Sequence, residues 1–269
     1  RVHMDKKLNL KMLQDLTLAN GISGFEEEAV EEAKKYLSDT LITDRDSMQN
    51  LYIKRTKNDT SLPTVMLDAH IDEVGFITQS IKLNGLIRII PIGGFVAHNL
   101  PAHRVKIRNS ENKYITGIIT STPVHYKGQD KELSLENMFV DIGASTDKEV
   151  KEHFKVDIAM PVILEGVFEY DEDFDIIKSK AFDCRVGCAS VIEIMNSLEN
   201  ENLKVNLIGT LTSQEEVGTR GAIVATNAVK PDIAIVMEGT PADDTFAEPY
   251  QMQTKLRKGP MLRLSLIHI

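Results

Sequence analysis

Hydrophobic and polar positions divide the chain into stretches of different texture. Residues 5–19 place Leu8, Leu10, Leu13, Leu16 and Leu18 at helical spacing, which predicts an amphipathic helix. In Ser23-Gly24-Phe25-Glu26 a Glu follows a Ser by three positions, a capping-box pattern that predicts a helix over 27–37 with Val30, Ala33 and Leu37 inward. Strands are expected at 50–54 and 64–68. Between 74 and about 161 the pattern changes to short β-type runs at 74–80, 86–91, 104–108, 114–120 and 139–143, punctuated by Gly, Pro, Asn and Asp. Such spacing predicts a small barrel or sandwich, with one helical stretch at 146–154. Helical spacing returns at 185–198, with Val186, Ala189, Ile192 and Met195 on one face. A strand at 205–211, a helix at 218–229 and a second buried strand at 233–237 follow. The pattern is α/β, with a β-rich block inserted into an α/β domain, and it divides the chain at 1–73, 74–161 and 162–269.

Two of the apolar runs end in hydrophilic clusters. Thr64-Val65-Met66-Leu67 leads into Ala69-His70-Ile71-Asp72-Glu73-Val74-Gly75, and Val205 to Leu211 leads into Ser213-Gln214-Glu215-Glu216-Val217-Gly218. Continuous apolar runs are the mark of buried parallel strands, and open α/β sheets bind ligands beyond the carboxyl ends of such strands. A His, an Asp and two adjacent Glu delivered there are the parts of a metal-dependent hydrolase site.

Each residue also has a plainer reading. His70 and Asp72 lie on one side of an extended segment, where Asp72 can orient a metal-binding imidazole; the pair reads equally as a solvated turn. Glu215 and Glu216 suit one metal ligand and one general base, or an acidic helix N-terminus. Asp183 stands at a helix start, where an N-cap is expected. Glu238 closes an apolar strand and needs a partner or water. Cys184 and Cys188 are four apart on a helix and read as small buried residues, since no further cysteine exists to complete a thiolate site. His98, His103 and His125 fall in the β-rich block, and His3 and His153 look peripheral.

Composition narrows the classes. The 269 residues carry 31 basic and 40 acidic side chains, a net charge of −9, which argues against a nucleic-acid partner. Two cysteines fit a reducing compartment. No run approaches the roughly 18 apolar residues of a membrane span, and no apolar signal segment opens the chain. A cytoplasmic protein with no membrane partner is expected, Arg1 to His3 being a cloning or processing scar.

Taken in order, these motifs resemble the tetrahedral aminopeptidases, also called deblocking or glutamyl aminopeptidases, which are co-catalytic metallopeptidases. The resemblance runs from about Leu8 to Arg263. It includes 21–26, 70–75, Gly93-Gly94, Lys180-Ala181-Phe182-Asp183-Cys184-Arg185-Val186-Gly187, 215–222 and Gly259-Pro260-Met261-Leu262-Arg263. It implies a mixed sheet flanked by helices, with the inserted β-barrel-like block serving dimerisation, and dimers assembled into dodecamers. By position it implies His70 and Glu238 on one metal, Asp183 bridging two, Glu216 on the second, Glu215 as general base and Asp72 orienting His70. Two divalent ions per subunit, zinc or cobalt, would serve hydrolysis of short peptides from their N-termini. Cys184 stands where the family usually has a second acid. Family members also run on past Arg263 and carry there a His for the second metal, whereas Leu264-Ser265-Leu266-Ile267-His268-Ile269 does not look like that continuation; a truncated or frameshifted frame is expected, and His268 is a poor substitute ligand. Two other functions stand beside the peptidase. One is an inactive fragment of it. The other is an endoglucanase-like glycoside hydrolase, disfavoured by the adjacency of Glu215 and Glu216 and by the absence of Trp.

Overall fold

The structure is a computed structural model that describes residues 6–120, 134–135 and 138–263; His3, His125 and His268 lie outside the described residues. The chain runs through helices α1 (Lys6–Leu18) and α2 (Glu27–Lys34), strands β1 (Leu41–Arg45), β2 (Leu51–Arg55) and β3 (Thr64–His70), then β4 (Gly75–Ile81), β5 (Ile87–Ile92), β6 (Arg104–Arg108), β7 (Tyr114–Thr120) and β8 (Phe139–Asp141). Helix α3 (Asp147–Glu152), strands β9 (Pro161–Leu164), β10 (Glu169–Asp171) and β11 (Ile176–Lys178), helix α4 (Phe182–Ser197), strand β12 (Asn206–Thr212), helix α5 (Arg220–Val229) and strand β13 (Ile233–Val236) complete it.

Five strands form a mixed sheet in the order β1-β2-β12-β3-β13. β12 and β13 both run parallel to β3, with Thr212 opposite His70 and Val236 opposite Asp68, while β2 is antiparallel to β12. The register brings the carboxyl ends of β3, β12 and β13 to one edge. β12 is buried at every position, as a central strand covered on both faces must be. One face packs on α4, where Val191 and Met195 crowd Gly209, and the other on α5, whose Val224 and Ala228 line a cavity with Ile208.

Strands β4 to β9 close a six-stranded barrel in the order β4-β5-β8-β7-β6-β9, filled by residues such as Phe76, Ile89, Val105, Ile107, Ile119, Val140 and Val162. The four residues Ile71 to Val74 link sheet to barrel. Close packing marks the junction: a Cβ on Gly75 would stand 2.2 Å from Ile22 Cγ2, so any side chain there forces the two units apart.

Several elements differ from the sequence expectation. β1 is exposed after its first residue and only Leu41 and Ile42 in it are apolar, so it carries no apolar run to detect. β9 falls where the turn-rich texture ends, and β10–β11 is a short hairpin of mostly polar residues. Residues 233–237 read as a buried strand, yet β13 is exposed along its length at the sheet edge, with Val236 58% exposed. An all-apolar run carries no mark of which of its faces is covered. The capping box is also corrected. The N-cap of α2 is Glu26 and makes no side-chain cap bond; the Ser23 hydroxyl donates instead to Asp72 Oδ2 at 2.6 Å. The Thr146 side chain does cap α3, accepting from Glu149 N–H at 3.1 Å.

Candidate metal centre

The shared strand edge gathers the acids. His70 ends β3, the turn after β12 carries Glu215 and Glu216, and Glu238 follows β13. Asp183 enters from the first turn of α4, where its own backbone and that of Cys184 are non-helical and the peptide between them is cis. His70 is buried, its side chain 2% exposed, whereas the Asp183 side chain is 59% exposed. A buried imidazole therefore faces a ring of solvent-side carboxylates. His70 Nε2 lies 2.8 Å from Asp183 Oδ1, 3.4 Å from Glu238 Oε1 and 4.0 Å from Glu215 Oε2. Potential ligand atoms of His70, Asp183, Cys184 and Glu238 all fall within 4.8 Å of one another, as do those of His70, Glu215 and Glu216.

His70 Nδ1 is 3.1 Å from the Asp72 backbone carbonyl and 3.5 Å from its Oδ1. With Nδ1–H donating to that carbonyl, Nε2 is left facing the acids, where its proton pairs with them and a divalent ion would displace it. The fully buried Asp72 carboxylate accepts from the Ser23 hydroxyl and from the backbone N–H groups of Glu215 and Glu216 at 2.9 and 3.1 Å. The N-cap reading of Asp183 does not hold, because the residue preceding α4 is Ala181 and Asp183 Oδ1 faces His70. Glu215 and Glu216 likewise precede α5 by several residues and lie in a turn closed by Glu215 C=O. The Cys184 thiol donates to Met237 C=O at 2.9 Å and the Cys188 thiol to His70 C=O at 3.1 Å. Burial raises the pKa of both thiols, which keeps them protonated and poor ligands.

The electrostatics expose a shortage of positive charge. Burial opposes charging of His70, but the carboxylates of Asp72 and Glu238 outweigh it and push the imidazole up to about 11. Hydrogen bonding to His70 holds Glu238 low. Burial, then a hydrogen bond to Glu238, raises Asp183. Burial raises Glu215, and burial with repulsion from Asp183 pushes Glu216 up to about 7. One imidazolium is too little countercharge for four acids, and divalent cations fit both the deficit and the mixed nitrogen and oxygen donors.

A pH dependence follows. Burial also pushes Glu26, beneath the site, up to about 7. A carboxyl whose folded pKa exceeds its unfolded value keeps a proton that the unfolded chain has released, so stability falls as pH rises from about 4.5 to about 7. The chelator-treated protein is expected to show a lower Tm near pH 8 than near pH 5, with a smaller drop in Glu26→Gln and in Glu216→Gln. A Tm that rises across that range contradicts the assignment.

Sequence reasoning missed Glu26 and Asn50, whose side chains hold the turn carrying Glu215 and Glu216, and Ser23, which donates to Asp72, and it gave Arg185 no role. The segments containing Ser23, Glu26 and Arg185 stood out as motifs, but nothing local told what their side chains bind.

The model of the M42 glutamyl aminopeptidase family matches residues 50–267. The putative aminopeptidase FrvX of Escherichia coli is 32% identical over 269 residues, covering 96% of this chain and 72% of its own. Among solved structures, a TET aminopeptidase from the marine sediment archaeon Thaumarchaeota archaeon SCGC AB-539-E09 superposes with a TM-score of 0.86 at 30% identity, over 94% of this chain and 71% of that one. The Pyrococcus horikoshii TET1 peptidase, which can assemble into a tetrahedron or a large octahedral shell, gives 0.77 at 25% identity, over 86% of this chain and 68% of that one; a PhTET1 dodecamer has also been solved. A mixed sheet with a barrel, a cluster of acids around one imidazole and these relatives agree: the chain belongs to the M42 glutamyl aminopeptidase family of metal-dependent aminopeptidases.

Proposed function

We propose that this aminopeptidase removes N-terminal residues from short peptides, using two divalent ions, zinc or cobalt, with Glu215 as general base. The observation that carries the reading is the convergence of four acids on the single buried imidazole of His70 at one strand edge. His70, Asp183 and Glu238 would hold the first ion, and Glu216, with Asp183, the second. Bound there, the ions would supply Lewis acidity for the scissile carbonyl and the attacking water. Glu215 takes a proton from the attacking water and returns it to the leaving amine. Asp72 fixes the backbone from which Glu215 and Glu216 project. Surplus acid groups at the rim favour a substrate with a free, protonated α-amine.

A two-carboxylate glycosidase fits the geometry poorly. Ligand oxygens of Glu215 and Glu216 fall within 4.8 Å of each other, closer than the roughly 5–9.5 Å such enzymes use.

Homo-oligomers are the expected assembly, with the barrel as the dimer element and dimers assembling into a dodecamer by analogy with the P. horikoshii peptidase; light scattering tests this directly. No helix among the described residues is long and apolar enough to cross a membrane. We place the chain in the cytoplasm, where the free Cys184 and Cys188 stay reduced.

The deciding experiment incubates the protein with zinc or cobalt and short peptides, each with a free or an acetylated N-terminus. Free-amine peptides are expected to lose their first residue, acetylated ones to resist, and chelation to abolish turnover until metal is restored. Activity indifferent to chelation, or no cleavage of any free-amine peptide, sinks the reading.

A further inference from the structure

Each backbone amide from Ser213 to Glu216 donates to a buried side chain, and none of the acceptors belongs to β12 or α5. Ser213 N–H donates to Asn50 Oδ1 at 2.9 Å, Gln214 N–H to Glu26 Oε1 at 3.2 Å, and Glu215 and Glu216 N–H to the two oxygens of Asp72. The acceptors come from the turn before β2, the start of α2 and the link between β3 and β4. All three are buried, with Asn50, Glu26 and Asp72 fully inaccessible. The turn they grip has a conformation that its own residues disfavour. Gln214 has φ 54° and Thr219 φ 54°, both in the left-handed region. Local preference therefore does not place Glu215 and Glu216; the remote acceptors do.

Two acceptors have further partners that explain them. Asn50 donates to Asp46 Oδ2 and to Gly221 C=O, and a Cβ on Gly221 would collide with Asn50 Oδ1 at 2.4 Å. Asp72 lies against His70. Glu26 has no such second duty. Its Oε1 accepts from Gly24 and Gln214 N–H, and its Oε2 is buried with no hydrogen-bond partner among the described residues. A carboxyl buried with one oxygen unpartnered is costly to keep, and the bond that reaches out of its own turn is the one to Gln214.

We propose that Glu26 is a positioning residue, whose carboxyl oxygen anchors the Gln214 amide and so fixes Glu215 and Glu216 relative to His70, a role that rests on the functions proposed above for those two residues.

Glu26→Leu removes the acceptor at similar size, and Glu26→Gln restores it without charge. In Glu26→Leu, amide hydrogen exchange is expected to rise in a peptide spanning 211–218, kcat to fall and zinc affinity to weaken. The last two changes are expected at about 10–100-fold, the range seen when outer partners of a metal site are lost, with KM little changed. Glu26→Gln is expected to recover both protection and most turnover. Wild-type exchange and turnover in Glu26→Leu, or equal damage in Glu26→Gln, overturns the proposal. Should Glu26→Leu not fold, Glu26→Asp is measured in the same way. It keeps the charge but withdraws the oxygen, and wild-type behaviour there is equally fatal. A wild-type protein without metal-dependent turnover refutes the proposed function instead, while the exchange arm still decides whether Glu26 holds the turn.

Discussion

Glu215→Gln is expected to lower kcat by about 10²–10⁴-fold, the usual worth of a positioned general base, while bound metal and KM stay close to wild type. The substitution is nearly isosteric. It leaves the turn intact, because the contact that holds residue 215 uses its backbone N–H to Asp72 Oδ1 rather than its side chain. Glu215 Oε2 stands 4.0 Å from His70 Nε2, farther than Asp183 or Glu238, as suits a group that works beside the ligands rather than among them. Glu216→Gln supplies the contrast, since it should lose metal as well as turnover. Measuring kcat, KM and metal per chain on both variants separates the two roles. Loss of an ion from Glu215→Gln would make residue 215 a ligand, and wild-type turnover would remove it from the reaction altogether.

What the sequence reveals of this site follows the range of the interactions. His70, Glu215, Glu216 and Glu238 were legible because each ends or follows an apolar strand run, and parallel register carries those ends to one edge. The supporting residues were not. Ser23 and Glu26 show a capping-box spacing, but their partners are 49 and 188 residues away in sequence; no local pattern encodes such a contact. Asp183 looked like an N-cap because helical periodicity begins just after it, and only the fold aims its carboxylate at His70. β13 misled in the opposite direction, since apolar composition announces a strand without saying which side is covered.

Arg185 shows the same limit in the energetics, and its substitution carries the largest stability change expected in the chain. An arginine in the first turns of an amphipathic helix is ordinarily a surface residue, yet Arg185 is completely buried. Its Nε donates to Ile71 C=O at 2.7 Å, and its terminal nitrogens donate to the carbonyls of Leu16, Ala19 and Gly21. One guanidinium thus ties the end of α1 and the loop after it to the peptide between His70 and Asp72. Glu73 balances the charge from 3.9 Å and also pairs with Lys180 Nζ at 2.7 Å. Arg185→Met keeps much of the volume but takes this donor from the carbonyls of Leu16, Ala19 and Ile71, with Gly21 C=O keeping the Glu73 N–H and Glu73 keeping Lys180 as its cation. Breaking a buried charged network in this way costs about 3–5 kcal/mol. At about 2–4 °C per kcal/mol for a chain of this size, Tm should fall on the order of 10 °C. Arg185→Lys should recover only part of the loss, because an ammonium cannot reproduce the planar fork. Thermal unfolding of both variants, with and without zinc, checks the account. A Tm within a degree or two of wild type for Arg185→Met would show that the network contributes little. The expected large drop would mean that one buried cation holds α1, its following loop and the base of the metal site together.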